Sequence, residues 1–246
     1  MAGHSKWANI QHRKAAVDAK RGKAFAKVSR EIMVAVKEGG SDANFNFSLR
    51  SAIERAKEIN FPKDKIKSSI KAAQSSEANS FEKALYEAYA PGGVGILIEI
   101  MTDNKNRAAA EVRTVLNKKG GSLASSGAVS YLFKKCGMIK IFKKINEEKI
   151  LEMLINSGIE DYLKVENFQN ETIVTVPLNL TSEANEALKK ETESKTTTRI
   201  IFDPESLIAN KEKQKSIIEL LEQLEDLDDV NCVWTNLDID EEALNL

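Results

Sequence analysis

Tyr89-Ala90-Pro91-Gly92-Gly93-Val94-Gly95-Ile96-Leu97-Ile98-Glu99-Ile100-Met101-Thr102 is the stretch on which the fold turns. Pro91-Gly92-Gly93 separates two runs, Phe81 to Ala90 and Val94 to Thr102, that read as strands around a tight turn. The apolar run from Gly92 to Met101 is far too short to span a bilayer, and Glu99 interrupts it. Asn104 to Lys119 follows as a helix with Ala108, Val112 and Val115 inward.

Downstream, strand-like and helical patterns keep alternating. Ala128 to Phe133 and Met138 to Phe142 read as strands, and Glu147 to Ile155 as a helix. Tyr162 to Val165 and Thr172 to Val176 are strands, Ser182 to Glu191 a helix, and Arg199 to Phe202 a strand. Lys211 to Leu224 is a helix with Ile217, Leu220, Leu221 and Leu224 on one side, and Val230 to Leu237 closes as a strand. This alternation argues for α/β sandwiches with helices on one face of each sheet.

Upstream, the period is helical throughout. Phe25, Val28, Ile32 and Val36 form one stripe, and Gly39-Gly40 can end that helix. Leu49, Ile53 and Ala56 form a second stripe. Pro62 suits the first turn of a third helix carrying Ile66, Ile70 and Ala73. Three such helices can bury their stripes against one another as a small bundle. If Trp7 to Arg21 is helical, Ile10 and Val17 share an arc with Lys14 and Arg21. Burying those charges is costly, so this segment projects from the bundle or lies along its edge, with Gly22 as the bend. Gln74 to Ser80 is polar and reads as a linker.

The chain of 246 residues carries a net charge of only -1. Residues 1–76 nevertheless hold sixteen Lys or Arg against seven Asp or Glu, a balance of +9, and the remainder holds 20 against 30, or -10. Such asymmetry suggests a polyanion partner for the basic part. Attraction between the two halves is the alternative use of the same charges. Cys136 and Cys232 form no spaced cluster, so neither a disulfide scaffold nor a zinc site is expected. No apolar signal core opens the sequence, and a cytoplasmic protein without a membrane partner is the simple reading.

The strongest functional signal is the N-terminal arm. Lys6, Arg13, Lys14, Lys20, Arg21, Lys23, Lys27 and Arg30 fall in one span whose only acid is Asp18. Lys6, Arg13, Lys20 and Lys27 recur every seven residues, which on a helix drifts only about 20° per step. A stripe of cations matches a row of backbone phosphates and releases condensed counterions on binding. Trp7, Asn9, Gln11 and His12 lie among the cations and can stack on a base or bond to its edge. A solvated helix face is the competing reading. The loop from Lys118-Lys119 through Gly120-Gly121 to Gly127 is a second candidate, because its backbone N–H groups can approach phosphate closely. A helix cap followed by a surface loop explains it equally well.

Other chemistry finds little support. His4 and His12 are about 12 Å apart along a helix, and no partner is spaced to share a metal with either. Glu222, Glu225, Asp226, Asp228 and Asp229 read as a solvated acidic run rather than a magnesium site. No nucleophile elbow, Walker loop, zinc-protease helix or dinucleotide fingerprint is present, so no catalytic residue, cofactor or small-molecule substrate is expected.

These residues resemble the YebC/PmpR family. The opening Met1-Ala2-Gly3-His4-Ser5-Lys6-Trp7-Ala8-Asn9-Ile10, continuing through His12-Arg13-Lys14 to Asp18-Ala19-Lys20-Arg21-Gly22-Lys23, looks like its N-terminal signature. Thr102-Asp103-Asn104-Lys105-Asn106-Arg107, Gly127-Ala128-Val129-Ser130-Tyr131 and Leu224-Glu225-Asp226-Leu227-Asp228-Asp229-Val230 are similar to further family blocks. Phe47 and Ser48 depart from it, standing where the family usually has Pro and Arg. The resemblance implies an α+β multidomain protein: an N-terminal helical bundle followed by two ferredoxin-like α/β sandwich domains, one inserted in the other. The expected boundaries are 1–76 for the basic helical domain, 81–133 plus 204–246 for one α/β domain and 134–203 for the inserted one. It also implies a non-enzymatic role in gene expression, either as a DNA-binding transcriptional regulator or as a translation factor on the ribosome with rRNA or tRNA as ligand. Charge alone reaches nucleic-acid binding but does not choose between DNA and RNA.

Overall fold

The computed structural model of the chain describes residues 18–74 (with side chains from Gly22 onward), 81–168, 170–205, 208–209 and 212–239. Among these, helix α1 spans Asp18–Gly39, α2 Phe47–Glu58 and α3 Lys63–Ala73. Helix α1 runs through Gly22 without interruption, so the chain stays helical at the expected bend point. Gly40 ends it in the left-handed region, at φ 84°, where only glycine is unstrained. Asn46 starts α2 by accepting from the Leu49 N–H at 3.0 Å, and its amide donates to Ala35 O and Gly40 O. Pro62 stands just before α3 as its cap. Val28, Ile32, Val36, Leu49, Ala52, Ala56 and Ile66 share one core, as the stripes required.

Beyond the bundle, strands β1 (Glu82–Ala90) and β2 (Val94–Thr102) form the expected hairpin, in register from Glu82 opposite Thr102 to Ala90 opposite Val94. Helix α4 (Lys105–Lys118), strand β3 (Ser122–Ala124), helix α7 (Gln214–Glu225) and strand β9 (Val230–Thr235) complete this layer, with strand order β3-β1-β2-β9. Ile96, Ile98 and Ile100 face α4 and α7 in one core with Val112, Leu116, Ile217 and Leu221. Leu97, Glu99 and Met101 point the other way and are buried as well. A central strand covered on both faces explains the unbroken apolar run.

The second layer is inserted between Phe133 and Pro204. Strand β4 (Phe133–Ile141), helix α5 (Glu147–Asn156), strands β5 (Lys164–Phe168) and β6 (Glu171–Pro177), helix α6 (Thr181–Thr192) and strand β7 (Thr196–Pro204) follow one another as β-α-β-β-α-β. Their sheet order, β5-β6-β4-β7, is the ferredoxin-like one. Two short strands, β8 (Ile208–Ala209) and β10 (Leu237–Asp238), pair in parallel. The chain divides into two compact units, residues 1–133 with 204–246, and residues 134–203. No helix of the described residues is long and apolar enough to cross a membrane.

Two further expectations fail locally. Of the strand expected over Ala128 to Phe133 only Phe133, the first residue of β4, is extended: Ala128 to Leu132 is a bend followed by a 3-10 helix over Ser130–Leu132. The stretch from Lys118 to Gly127, read as a loop, contains β3, paired with β1 from Ser122 opposite Tyr89 to Ala124 opposite Glu87. One side chain causes the first departure. Glu87 accepts from the backbone N–H groups of Gly127, Val129 and Ser130, at 2.7, 2.7 and 2.9 Å, and the chain curls around that carboxylate instead of extending.

Candidate nucleic-acid interface

Lys23, Lys27 and Arg30 follow one another at steps of four and three and share one face of α1. That face lies on the C-terminal end of α7 and the turn after it. The ammonium of Lys23 donates to Asp226 O at 2.9 Å and lies 3.6 Å from the Asp228 carboxylate. Lys27 donates to Glu225 O, and Arg30 to Asp228 O. A helix C-terminus ends in unpaired carbonyls and carries partial negative charge, so three cations stacked on it are where the macrodipole favours them. Arg30 is also held over the Phe81 ring, 5.8 Å from its centroid. Burial drives the Lys27 ammonium down to about 8, against the opposing pull of Glu225.

Asp229 closes the arrangement. Its carboxylate is almost fully buried and lies 3.4 Å from Arg30, 2.8 Å from Arg107 and 2.8 Å from the Thr102 hydroxyl. Arg107 is held in turn by Asp103 at 2.7 Å, and the two carboxylates keep its guanidinium charged far beyond the ordinary arginine range. Asn104 caps α4 by accepting from the Asn106 and Arg107 N–H groups at 3.1 Å. The Thr102-to-Arg107 block is therefore a cap and an ion-pair hub. The acidic run is not merely solvated, as the sequence suggested: Asp229 is a buried anchor, and Asp226 and Asp228 receive cations from α1. A second tie joins the bundle to β9, where Arg55, ion-paired with Glu31 at 2.9 Å, reaches the Cys232 sulfur at 3.7 Å.

Of the loop from Lys118 to Gly127, the last N–H, that of Gly127, is taken by Glu87, which also accepts from Val129 and Ser130 just beyond it. Burial raises the Glu87 carboxyl, but these three donors outweigh it and hold it below the usual carboxylate range. Lys119 pairs with Glu219 on α7 at 2.7 Å, while Lys118 is exposed. Ala84, Tyr86, Ala88 and Ala90 give β1 its core face, and Glu87 lies on the other face, where sequence alternation alone gives no sign that it is an internal anion.

Lys6, Trp7, Asn9, His12, Arg13 and Lys14 lie outside the described residues, and the side chains of Lys20 and Arg21 do as well. Of the candidates within them, the fold brings Lys23, Lys27 and Arg30 together and leaves Lys118 and Lys119 at the other end of a different helix. Among the described residues, no group of three or more His, Cys, Asp or Glu is placed to hold a metal ion.

Residues 5–76 match the model of the TACO1/YebC protein N-terminal domain, and residues 81–237 that of the TACO1/YebC second and third domain. The chain belongs to the TACO1/YebC family. Among its TACO1/YebC relatives, one from Aquifex aeolicus is 45% identical over 99% of this chain and 98% of its own length. Another, from Natranaerobius thermophilus, is 43% identical over 99% of each chain. Both are named "Probable transcriptional regulatory protein". A crystal structure of a conserved hypothetical protein from Aquifex aeolicus has the same TACO1/YebC architecture, with a TM-score of 0.84 and 41% identity over 96% of this chain and 98% of that one.

Proposed function

We propose that this protein is a non-enzymatic, cytoplasmic nucleic-acid-binding regulator of gene expression, acting on DNA as a transcriptional regulatory protein through its basic N-terminal arm. The observation that carries the reading is the anchoring of α1. Lys23, Lys27 and Arg30 are taken up by the carbonyls and carboxylates at residues 225–229. Attraction between the halves therefore accounts for those three cations. Lys6, Arg13, Lys14, Lys20 and Arg21 precede the anchor in sequence, with Asp18 as the single acid among them. Cations concentrated ahead of a fixed point suit a row of phosphates, and the names of the relatives support a regulatory role.

The test changes Arg13, Lys14, Lys20 and Arg21 together to Ala. Alanine keeps helix propensity. If all four contact phosphates of duplex DNA, log affinity against log salt becomes shallower by roughly 0.9 × 4, or about 3 to 4. The affinity loss is similar across unrelated sequences, because phosphate contacts position a protein without reading bases. An unchanged slope in a folded variant refutes the arm. Density-gradient sedimentation of lysate at moderate salt then separates DNA from RNA. A DNA regulator stays at the top and is recovered on promoter fragments. Arm-dependent co-migration with ribosomes assigns the protein to translation instead.

A further inference from the structure

In the inserted domain, Ile139 and Ile141 of β4 face the helices α5 and α6. Alternation therefore puts Lys140 and Phe142 on the opposite face of the sheet. The Phe142 N–H donates to Lys195 O at 3.1 Å, which draws the chain ahead of β7 alongside the end of β4. The Phe142 ring consequently has two ammonium groups close to it, Lys140 at 5.1 Å and Lys195 at 4.9 Å from its centroid. Lys140 is nearly buried and paired with Glu171 at 2.6 Å. Lys195 is exposed, and the ring itself is 40% exposed.

The turn that follows is firmly built. Buried Thr172 receives the Ile145 N–H at 2.9 Å, and its own hydroxyl lies 3.0 Å from Lys143 O. Asn146 then caps α5 by accepting from the Glu148 N–H at 3.3 Å. Lys143 and Lys144 are displayed on this turn, both exposed. Among the described residues, neither they nor Lys195 joins an ion pair. The neighbouring acids are otherwise placed: Glu171 holds Lys140, Glu147 and Glu148 sit in the first turn of α5 at its positive end, and Glu193 ends α6.

We propose that Phe142, Lys143, Lys144 and Lys195 form a second binding site, for single-stranded nucleic acid. One unpaired base lies on the Phe142 ring, and the flanking phosphates fall to the three lysines. Lys195, the exposed one of the two cations on the ring, moves from the ring to a phosphate as the base arrives. A lone aromatic ringed by cations does not suit an amphipathic helix, which needs several apolar anchors in a row. A strand of nucleic acid supplies both a flat π-face and regularly spaced anions. The site lies wholly within residues 134–203, so it shares only the class of ligand with the arm reading and stands without it.

The experiment titrates the full chain with a fluorescein-labelled 12-nucleotide oligouridylate at several salt concentrations, reading anisotropy. Phe142→Ala, Phe142→Trp and the triple Lys143→Ala/Lys144→Ala/Lys195→Ala variant are compared with the parent. Each is made with the arm intact and with its four cations replaced. Phe142→Ala is expected to weaken binding about tenfold with little change in salt slope, and Phe142→Trp to keep it. The triple variant is expected to flatten the slope by roughly 0.7 × 3, or about 2. Circular dichroism and unfolding midpoints confirm that each variant is folded. Folded patch variants that bind as their parents do overturn the site, as does a loss from the lysines with none from Phe142→Ala. Loss in the patch variants with none in the arm variants sustains this site and removes the arm, and the converse removes this site alone. Binding of the patch to anionic lipid vesicles in place of the oligonucleotide also overturns it.

Discussion

Arg30 reaches from helix α1 to Asp229, 199 residues away in sequence, and shares that carboxylate with Arg107. Removing the carboxylate leaves two guanidinium groups and the Thr102 hydroxyl turned toward one another. Asp229→Ala is therefore expected to cost about 2 to 4 kcal/mol, at the lower part of the range for a buried pair because Arg107 remains half exposed. Urea unfolding followed by circular dichroism measures it. A midpoint equal to that of the parent would show that the hub holds nothing.

Glu87 makes the fold sensitive to acid. Its carboxyl is held below the ordinary value in the folded state. Its contribution is thus present above the unfolded pKa, near 4.3, and is lost as pH falls through the lower folded value. Glu87→Gln keeps one acceptor oxygen but not the charge. We expect it to lower stability at pH 7 by about 1 to 2 kcal/mol and to flatten the decline of stability below pH 5. Denaturation curves at pH 7, 5 and 4 decide the matter, and parallel losses in variant and parent would refute it.

Lys27 also makes stability rise with pH, but in an alkaline window and because its buried charge is a cost rather than a gain. Its folded pKa is lowered to about 8, beneath the ordinary lysine value of 10.5. Between those values the unfolded chain binds more protons than the folded one, so stability rises with pH across that window. Below about pH 8 both states are protonated and the cost of burying the charge is felt in full. Lys27→Met keeps the apolar stem and removes the titration. Its stability relative to the parent is expected to be most favourable near neutral pH and to diminish by pH 10. An identical pH trend in the two proteins contradicts the assignment.

Limited proteolysis with a nonspecific protease is expected to cut first between Gln74 and Ser80, because that stretch is polar and without apolar period. A stable α/β fragment remains. First cuts inside β2, where all nine residues are buried, would mean the layers are wrongly divided.

Periodicity revealed most of the architecture. The hairpin around Pro91-Gly92-Gly93 and the helices carrying Val28, Ile32, Ile217 and Leu221 are local patterns, and they hold in the folded chain. What escaped is long-range. Glu87 reaches 40 to 43 residues ahead to take three N–H groups, and no local pattern in Ala128 to Phe133 announces that an internal carboxylate will bend it. Asp229 looks like one acid in a solvated run until Arg30 and Arg107 arrive from two other elements. The Phe142 site was hidden in the same way, since Lys195 joins the ring only through the pairing of two strands far apart in sequence.

The contact between Lys23 and Asp226 spans 203 residues, and its acceptor lies near the end of the chain. Translation delivers the N-terminus first. Lys23, Lys27 and Arg30 therefore leave the exit tunnel while α7 and β9, which complete both their docking site and the first α/β core, are still unmade. Residues 134–203 have all their own strands and helices in hand earlier and can close as a unit while the surrounding domain waits. During every round of synthesis Lys23, Lys27 and Arg30 are thus presented without their internal counter-charges, next to the RNA of the ribosome that is making them.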